Sequence, residues 1–380
     1  MKRVSNLYDK ICNIDIIMDM YDVVAKNTKN KKKIEKFDKF YSINIYKIKD
    51  MLCSKNYIPG KYNIFLIQEP KYRIIMSQEI PDKVINHLVA KYFLIDVFDK
   101  TLIKENCATR IGKGTHYALN IFKNNYNKYK NKHDKFYILK LDISKYFYNI
   151  DHDIVKKIIR SKIKDKDALN IIEKIIDTTD EEYINKLINK LKNNEIDRIN
   201  NLNISENLKK LKIEEVSKLP IYNKKKGLPI GSMVSQIIAT LFIDKIDKFI
   251  KYDLKIETYC RFMDDMAIIH YDKNYLNLAL AKINKILEKY NLKLNPKTKI
   301  YNSNEEIEFL GFRFCIINNK LIMKITNKTK KNFKKKIKKC CNEYNNKLIT
   351  YDSYRSTKDS YIGYLRHGSC NNLMYKVLKI

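Results

Sequence analysis

The chain has 380 residues and carries 76 Lys+Arg against 43 Asp+Glu, a formal net charge of +33. An excess of this size points to a polyanionic partner, nucleic acid before membrane. No stretch approaches the roughly 18 uninterrupted apolar residues of a membrane span, no apolar core of signal-peptide length follows Met1, and the 8 cysteines show no C-x-x-C spacing. These features argue against a membrane-spanning protein, a disulfide framework and a zinc ribbon, and lead us to expect reduced thiols in a soluble, cytoplasmic protein.

Residues 1–58 alternate short apolar groups with charged runs such as Lys31-Lys32-Lys33, which predicts two or so helices with a solvated face. A strand follows at Tyr62-Asn63-Ile64-Phe65-Leu66-Ile67. Beyond it, Lys71 and Arg73 are two apart and on a strand would share a face, a geometry that can hold a triphosphate but is also ordinary for an exposed strand. Apolar residues from Val84 to Phe93 recur at helical spacing, so His87 reads as a satisfied helix residue. The turn Arg110-Ile111-Gly112-Lys113-Gly114-Thr115-His116 lacks the full phosphate-loop spacing and is read as a Gly-rich turn whose backbone approaches a nucleic-acid strand.

The segment Phe136-Tyr137-Ile138-Leu139-Lys140-Leu141-Asp142 is a strand ending in an acid, and Asp151 is an available N-cap for a helix whose apolar face runs from Ile154 to Ile163. Phe147, five residues beyond Asp142, belongs near whatever that carboxylate holds. Residues 164–222 are charged and Asn-rich, an insertion with helical fragments at 184–191 and 208–213. After Gly227-Leu228-Pro229-Ile230-Gly231, apolar positions from Val234 to Phe249 trace one face of a long helix. Two apolar runs within 259–270 then flank Asp264 and Asp265, a hairpin with its acids at the turn. A helix over 276–290, a strand over 292–300, a strand over 308–314 leading into 321–323, and a basic helical lobe over 325–380 complete the order.

This order is α+β, with helices covering one face of a mostly antiparallel sheet. A pair of acids at a turn is most simply solvated. If Asp142 lies on a strand beside that hairpin, three carboxylates converge, an arrangement that is costly unless divalent cations occupy it. Oxygen-only ligands suit Mg2+, and two such ions can drive an in-line nucleotidyl transfer.

The ordered series Leu141-Asp142-x4-Phe147, Gly227-Leu228-Pro229-Ile230-Gly231-x3-Ser235-Gln236, Phe262-Met263-Asp264-Asp265, Leu294-x2-Lys297-Thr298 and Phe309-Leu310-Gly311-Phe312 resembles the successive motifs of a reverse transcriptase over about residues 60–370. Within that superfamily the chain is most similar to the enzymes of diversity-generating retroelements. The resemblance rests on Ile230 where Gln is usual, on the Ile-Gly-x3-Ser-Gln string, and on Gly112-Lys113-Gly114-Thr115-His116 ahead of Asp142. It implies a right-hand polymerase fold with a ferredoxin-like antiparallel palm sheet. The corresponding parts are an N-terminal extension (1–58), fingers (59–135), a palm (136–324, with the 164–222 insertion partly fingers) and a basic helical thumb (325–380).

The same resemblance implies roles. Asp142, Asp264, Asp265 and the backbone carbonyl of Ile143 would hold two Mg2+ ions, with Mn2+ as an alternative. Phe147 would exclude a ribose 2′-OH, Lys71 and Arg73 would hold the triphosphate, and Ile230, Gly231 and Gln236 would border the nucleotide. Lys297 matches the motif lysine, with Lys299 as the alternative. The implied partners are template RNA, the cDNA or primer strand, dNTPs and a small basic helical accessory protein, with error-prone copying at template adenines. Phe262 departs from the usual Tyr, residues 178–222 are longer than usual, and Ser232-Met233 are unexpected. Competing expectations are a reverse transcriptase of a retron or phage-defence system, and a non-catalytic RNA-binding protein on a palm fold.

Overall fold

The computed structural model describes residues 3–69, 71–318 and 320–378. The chain divides into two compact units, residues 1–103, 143–249 and 283–293 in one and residues 104–142, 250–282 and 294–380 in the other. No helix among the described residues is long and apolar enough to cross a membrane.

In the first unit the N-terminal region forms three helices, Ile14–Asn27, Lys31–Asp38 and Tyr41–Cys53. Asn13 caps the first by accepting from the amides of Asp15 and Ile16. Strands β1 (Asn63–Ile67) and β2 (Arg73–Ser77) form an antiparallel hairpin in which Phe65 faces Ile75. Its buried face, Tyr62, Ile74 and Met76, packs with Tyr148, Ile184, Ile188 and Tyr222.

The 164–222 region contains three helices rather than two fragments: Lys166–Asp177, Glu182–Asn200 and Glu206–Ser217. The first is fixed by Asp165, whose carboxylate caps it and also accepts the amides of Leu7 and Tyr8 at 2.7 and 3.1 Å. The long helix expected over 234–249 is a correction. The helix Met233–Phe242 stops at Ile243, whose backbone (φ −107°, ψ 20°) leaves the helical region, and Asp244–Lys248 starts a short new one. Nor does the first helix present a single apolar face, since Val234, Ser235 and every residue from Ile237 to Phe242 are buried. A helix enclosed on nearly all sides carries no amphipathic period to read.

The second unit is built on a four-stranded antiparallel sheet of order β4-β5-β3-β6: β3 (Tyr137–Leu141), β4 (Tyr259–Phe262), β5 (Asp265–His270) and β6 (Lys299–Asn302). The strand expected over 292–300 begins only at Lys299. Asn295 organises a turn ahead of it, its side chain accepting from Lys297 N–H and its carbonyl from Thr298 N–H, and Pro296 has no amide to give a ladder.

The single strand expected over 308–314 is two: β7 (Ile307–Phe309) and β8 (Phe312–Ile317), followed by β9 (Lys320–Ile325) in a three-stranded sheet. Leu310 and Gly311 both take left-handed φ, 49° and 83°, which closes a two-residue hairpin and pairs Phe309 with Phe312. Phe122 of the helix Thr115–Lys130 packs on Phe309 and Phe314, ring centroids 5.1 and 4.7 Å away. Ile337 and Leu365 of the C-terminal helices Asn327–Asn345 and Tyr351–Arg366 join the same core.

Candidate active site and nucleotide-contact residues

Strands β3 and β5 pair so that Leu141 faces Met266. Continuing that antiparallel register by one residue sets Asp142 against Asp265. The backbone of Asp142 has left the sheet ladder: its N–H reaches Thr298 Oγ1 at 3.4 Å and its carbonyl accepts from Asn295 N–H at 2.7 Å. The turn at 295–298 thus fixes the peptide carrying the first acid.

The other two acids are set by the β4-β5 hairpin, where Phe262 pairs with Asp265 and only Met263 and Asp264 form the loop. Met263 adopts φ 56°, a conformation costing a non-glycine residue roughly 1–2 kcal/mol. What holds it is Arg261, fully buried, whose Nη1 donates to the Met263 carbonyl at 2.9 Å. Arg261 is itself clamped along the edge of β4, its N–H donating to Glu105 O at 3.0 Å and its carbonyl accepting from Cys107 N–H at 2.9 Å. No motif in the sequence marks this arginine. The available signal was an arginine inside an apolar strand, which demands buried acceptors.

Asp265 is the strained member of the group. Its side chain is 25% exposed, its Oδ1 has no hydrogen bond, and the nearest cation, Lys140 Nζ, is 3.6 Å away. At that distance the two form an ion pair without a hydrogen bond. The lysine is held back because its ammonium donates to Glu308 O at 2.7 Å. Burial, reinforced by the charges of Asp264 and Asp142 and opposed by Lys140, pushes the Asp265 carboxyl up to about 6.

Three carboxylates that repel one another, one carrying a buried oxygen with no donor, are the donor set expected of a hard divalent cation. The residues present therefore fit such an ion. Among the described residues the one group of three ligands whose atoms all lie within 4.8 Å of one another is elsewhere, at His152, Asp177 and Asp180. The strand-end acids do not meet that spacing. Lys297 lies in the same unit, exposed; Lys299 is engaged by Glu305 at 2.9 Å.

The remaining candidate residues belong to the first unit. Lys71 and Arg73 are exposed and alternate with buried Tyr72 and Ile74. Tyr72 anchors the hairpin through its hydroxyl, which donates to the buried Glu195 at 3.1 Å. Ile143 is buried, and Phe147 sits on the single turn Tyr146–Asn149, which Tyr146 ties down by donating to Ala239 O at 2.5 Å.

The loop at 227–231 is sewn to both elements. Leu228 N–H donates to Phe147 O and Met76 N–H donates to Ile230 O, each at 2.8 Å. Gly231 is required at its position: φ is 123°, and a Cβ there would stand 2.7 Å from Met76 O. Ser232 then caps the helix carrying Gln236, while the buried Asn86 accepts from Ser232 Oγ and Val234 N–H, each at 2.9 Å. The structure so brings Phe147, Ile230 and Gly231 onto one framework with β2. Asn86 was not singled out by the sequence, being a lone polar residue in an apolar helix.

The sequence profile of the family described as reverse transcriptase (RNA-dependent DNA polymerase) matches residues 67–314. With more than half its length matched, the chain belongs to the reverse transcriptase family and so to the right-hand polymerase fold class, consistent with the mixed helices and antiparallel sheets seen here. Among curated proteins none matches the chain.

Among solved structures it is similar to apo telomerase from Candida tropicalis truncated of its C-terminal domain (14% identity, TM-score 0.45, covering 69% of this chain and 54% of that one). It is also similar to telomerase from Candida albicans in complex with a TWJ fragment of telomeric RNA (14% identity, TM-score 0.43, covering 72% and 46%). The chain thus spans about half the length of these telomerase structures.

Proposed function

We propose that this protein is an RNA-directed DNA polymerase that copies a template RNA into cDNA, of the type found in diversity-generating retroelements. The observation that carries the reading is the register of β3 against β5, which ends with Leu141 opposite Met266 and, continued by one residue, leads Asp142 toward Asp265, with Asp264 in the adjoining turn. In the reaction the 3′-hydroxyl of the primer attacks the α-phosphorus of a dNTP. A new P–O bond forms, the bond to the β-phosphate breaks, and pyrophosphate leaves.

Two Mg2+ ions, with Mn2+ as an alternative, would be held by Asp142, Asp264, Asp265 and the Ile143 carbonyl, and when bound supply activation of the hydroxyl and neutralisation of the leaving group. Lys71 and Arg73 hold the triphosphate as point and forked charges. Lys297, whose rival Lys299 is committed to Glu305, faces the leaving pyrophosphate. The Phe147 ring excludes a 2′-hydroxyl, and Gly231 and Gln236 border the pairing nucleotide.

Ile230 supports the subtype. Its carbonyl is fixed by Met76 and its side chain is apolar, so it offers no side-chain hydrogen bond with which to reject a wrong pair. The expected partners are template RNA, the primer or cDNA strand and a small basic helical protein; the basic residues of 325–380 offer charge complementarity to the nucleic-acid strands.

Primer extension on an RNA template with Mg2+ tests the enzyme: the wild type incorporates deoxynucleotides and Asp264→Asn does not, whereas equal product from both would reject the site and favour a non-catalytic RNA binder. Sequencing the cDNA tests the subtype. Ile230→Gln lowers errors opposite template adenine, and an unchanged spectrum would return the protein to the retron or phage-defence alternatives.

A further inference from the structure

The first unit contains a second polar centre that the polymerase chemistry does not use. His152 opens the helix His152–Arg160 and is fully buried. Its Nε2 lies 2.7 Å from the carbonyl of Gly227. A carbonyl can only accept, so Nε2 carries a proton and Nδ1 is the atom that looks into the cluster.

Nδ1 stands 3.2 Å from Asp177 Oδ1 and 3.8 Å from Asp180 Oδ2, yet it forms no hydrogen bond. A buried ring nitrogen aimed at two carboxylate oxygens without a hydrogen bond lacks a partner, and a metal ion held between the three groups supplies one. All three groups are already oriented by other partners. Asp177 accepts from Lys156 Nζ on both oxygens, Oδ1 at 2.7 Å and Oδ2 at 2.6 Å, Asp180 Oδ1 accepts from Lys225 N–H at 2.6 Å, and the His152 Nε2–H is on Gly227 O. A metal-binding histidine ordinarily donates its other N–H to such a carbonyl, which fixes its tautomer and the direction of its lone pair.

We propose that His152 Nδ1, Asp177 and Asp180 Oδ2 bind one divalent transition metal of the zinc class, with water completing the shell. Ligands at zinc lie about 2.0–2.2 Å from the metal, so tetrahedral neighbours stand roughly 3.3–3.6 Å apart. The separations of 3.2 and 3.8 Å bracket that range. Mixed imidazole and carboxylate donors suit zinc over magnesium.

The metal would act as a clamp. Thr179 Oγ1 also donates to Gly227 O at 2.8 Å, so ordering the His152 ring fixes the root of the loop carrying Ile230 and Gly231.

The test uses the full chain with Asp142→Asn and Asp264→Asn, which silences the strand-end acids, stripped of metal and titrated with Zn2+ by calorimetry. One Zn2+ binds per chain, the melting temperature rises, and X-ray absorption reports only nitrogen and oxygen neighbours with imidazole scattering. Adding Asp180→Asn, whose amide oxygen can keep the Lys225 contact, weakens binding by at least about tenfold and abolishes the thermal shift. His152→Asn does the same, with far-ultraviolet circular dichroism confirming the fold. No Zn2+ bound, an unchanged affinity in Asp180→Asn, or sulfur neighbours from the cysteines would each overturn the assignment.

Discussion

Two acidic centres of this molecule handle the same problem in opposite ways. At Asp177 and Asp180 every carboxylate has a committed partner behind it, and the atoms facing inward lie within 4.8 Å of one another. At the ends of β3 and β5, Asp265 is half-buried with a bare, buried oxygen, and Lys140, the cation that could have closed the site, is held at 3.6 Å by its bond to Glu308. The first centre is built to stay as it is. The second is left electrostatically incomplete, which suits a site whose last ligands arrive with substrate and leave with product.

The largest expected effect breaks the second centre outright. Asp264→Asn should lower single-turnover incorporation by roughly 10³-fold, about 4 kcal/mol of transition-state stabilisation. Quench-flow measurement at saturating dNTP checks it, with circular dichroism of the same sample showing an unchanged fold.

Next comes the support beneath the turn. Arg261→Met leaves the Met263 carbonyl without its donor while conserving apolar volume, and should destabilise the protein by about 1–3 kcal/mol. It shows as a lower urea midpoint, with a loss of activity at temperatures where the variant is still folded.

The incomplete charge balance gives the third effect. Asp265 ionises near 6 in the folded protein and near 4 unfolded, so the folded state retains a proton that the unfolded chain has lost. Its contribution is therefore present below about pH 4 and is lost as pH rises through 6. Metal-free Asp265→Asn should lack that decline and exceed the wild type by about 2–3 kcal/mol at pH 7, measured as the difference between the two proteins' pH–stability curves. The smallest effects belong to Lys71→Ala and Arg73→Ala. Both residues are exposed, so stability should move by less than about 0.5 kcal/mol while KM for dNTP rises roughly tenfold.

The sequence announced those features whose signal is local. Asp142 follows a continuous apolar run, Asp264 and Asp265 sit between two such runs, and Asp151 caps its helix, accepting from Ile154 N–H at 3.1 Å. Other boundaries were hidden because tertiary burial erased the period. The helix Met233–Phe242 is enclosed all round, and Phe309-Leu310-Gly311-Phe312 reads as one apolar run although left-handed φ at its centre makes it a turn. Neither the role of Arg261 nor the centre at His152, Asp177 and Asp180 could be read from spacing, because their partners come from distant parts of the chain.

The most direct test of the strand-end site is affinity cleavage, with Fe2+ and ascorbate replacing the native metal and the cut positions read by mass spectrometry. Cuts are expected near both 142 and 264, each abolished by either Asp142→Asn or Asp264→Asn, while any cuts near 177–180 persist. Cutting at only one of the two strand ends, or cuts at one end that survive loss of the other's aspartate, would contradict a shared ion and with it the polymerase site.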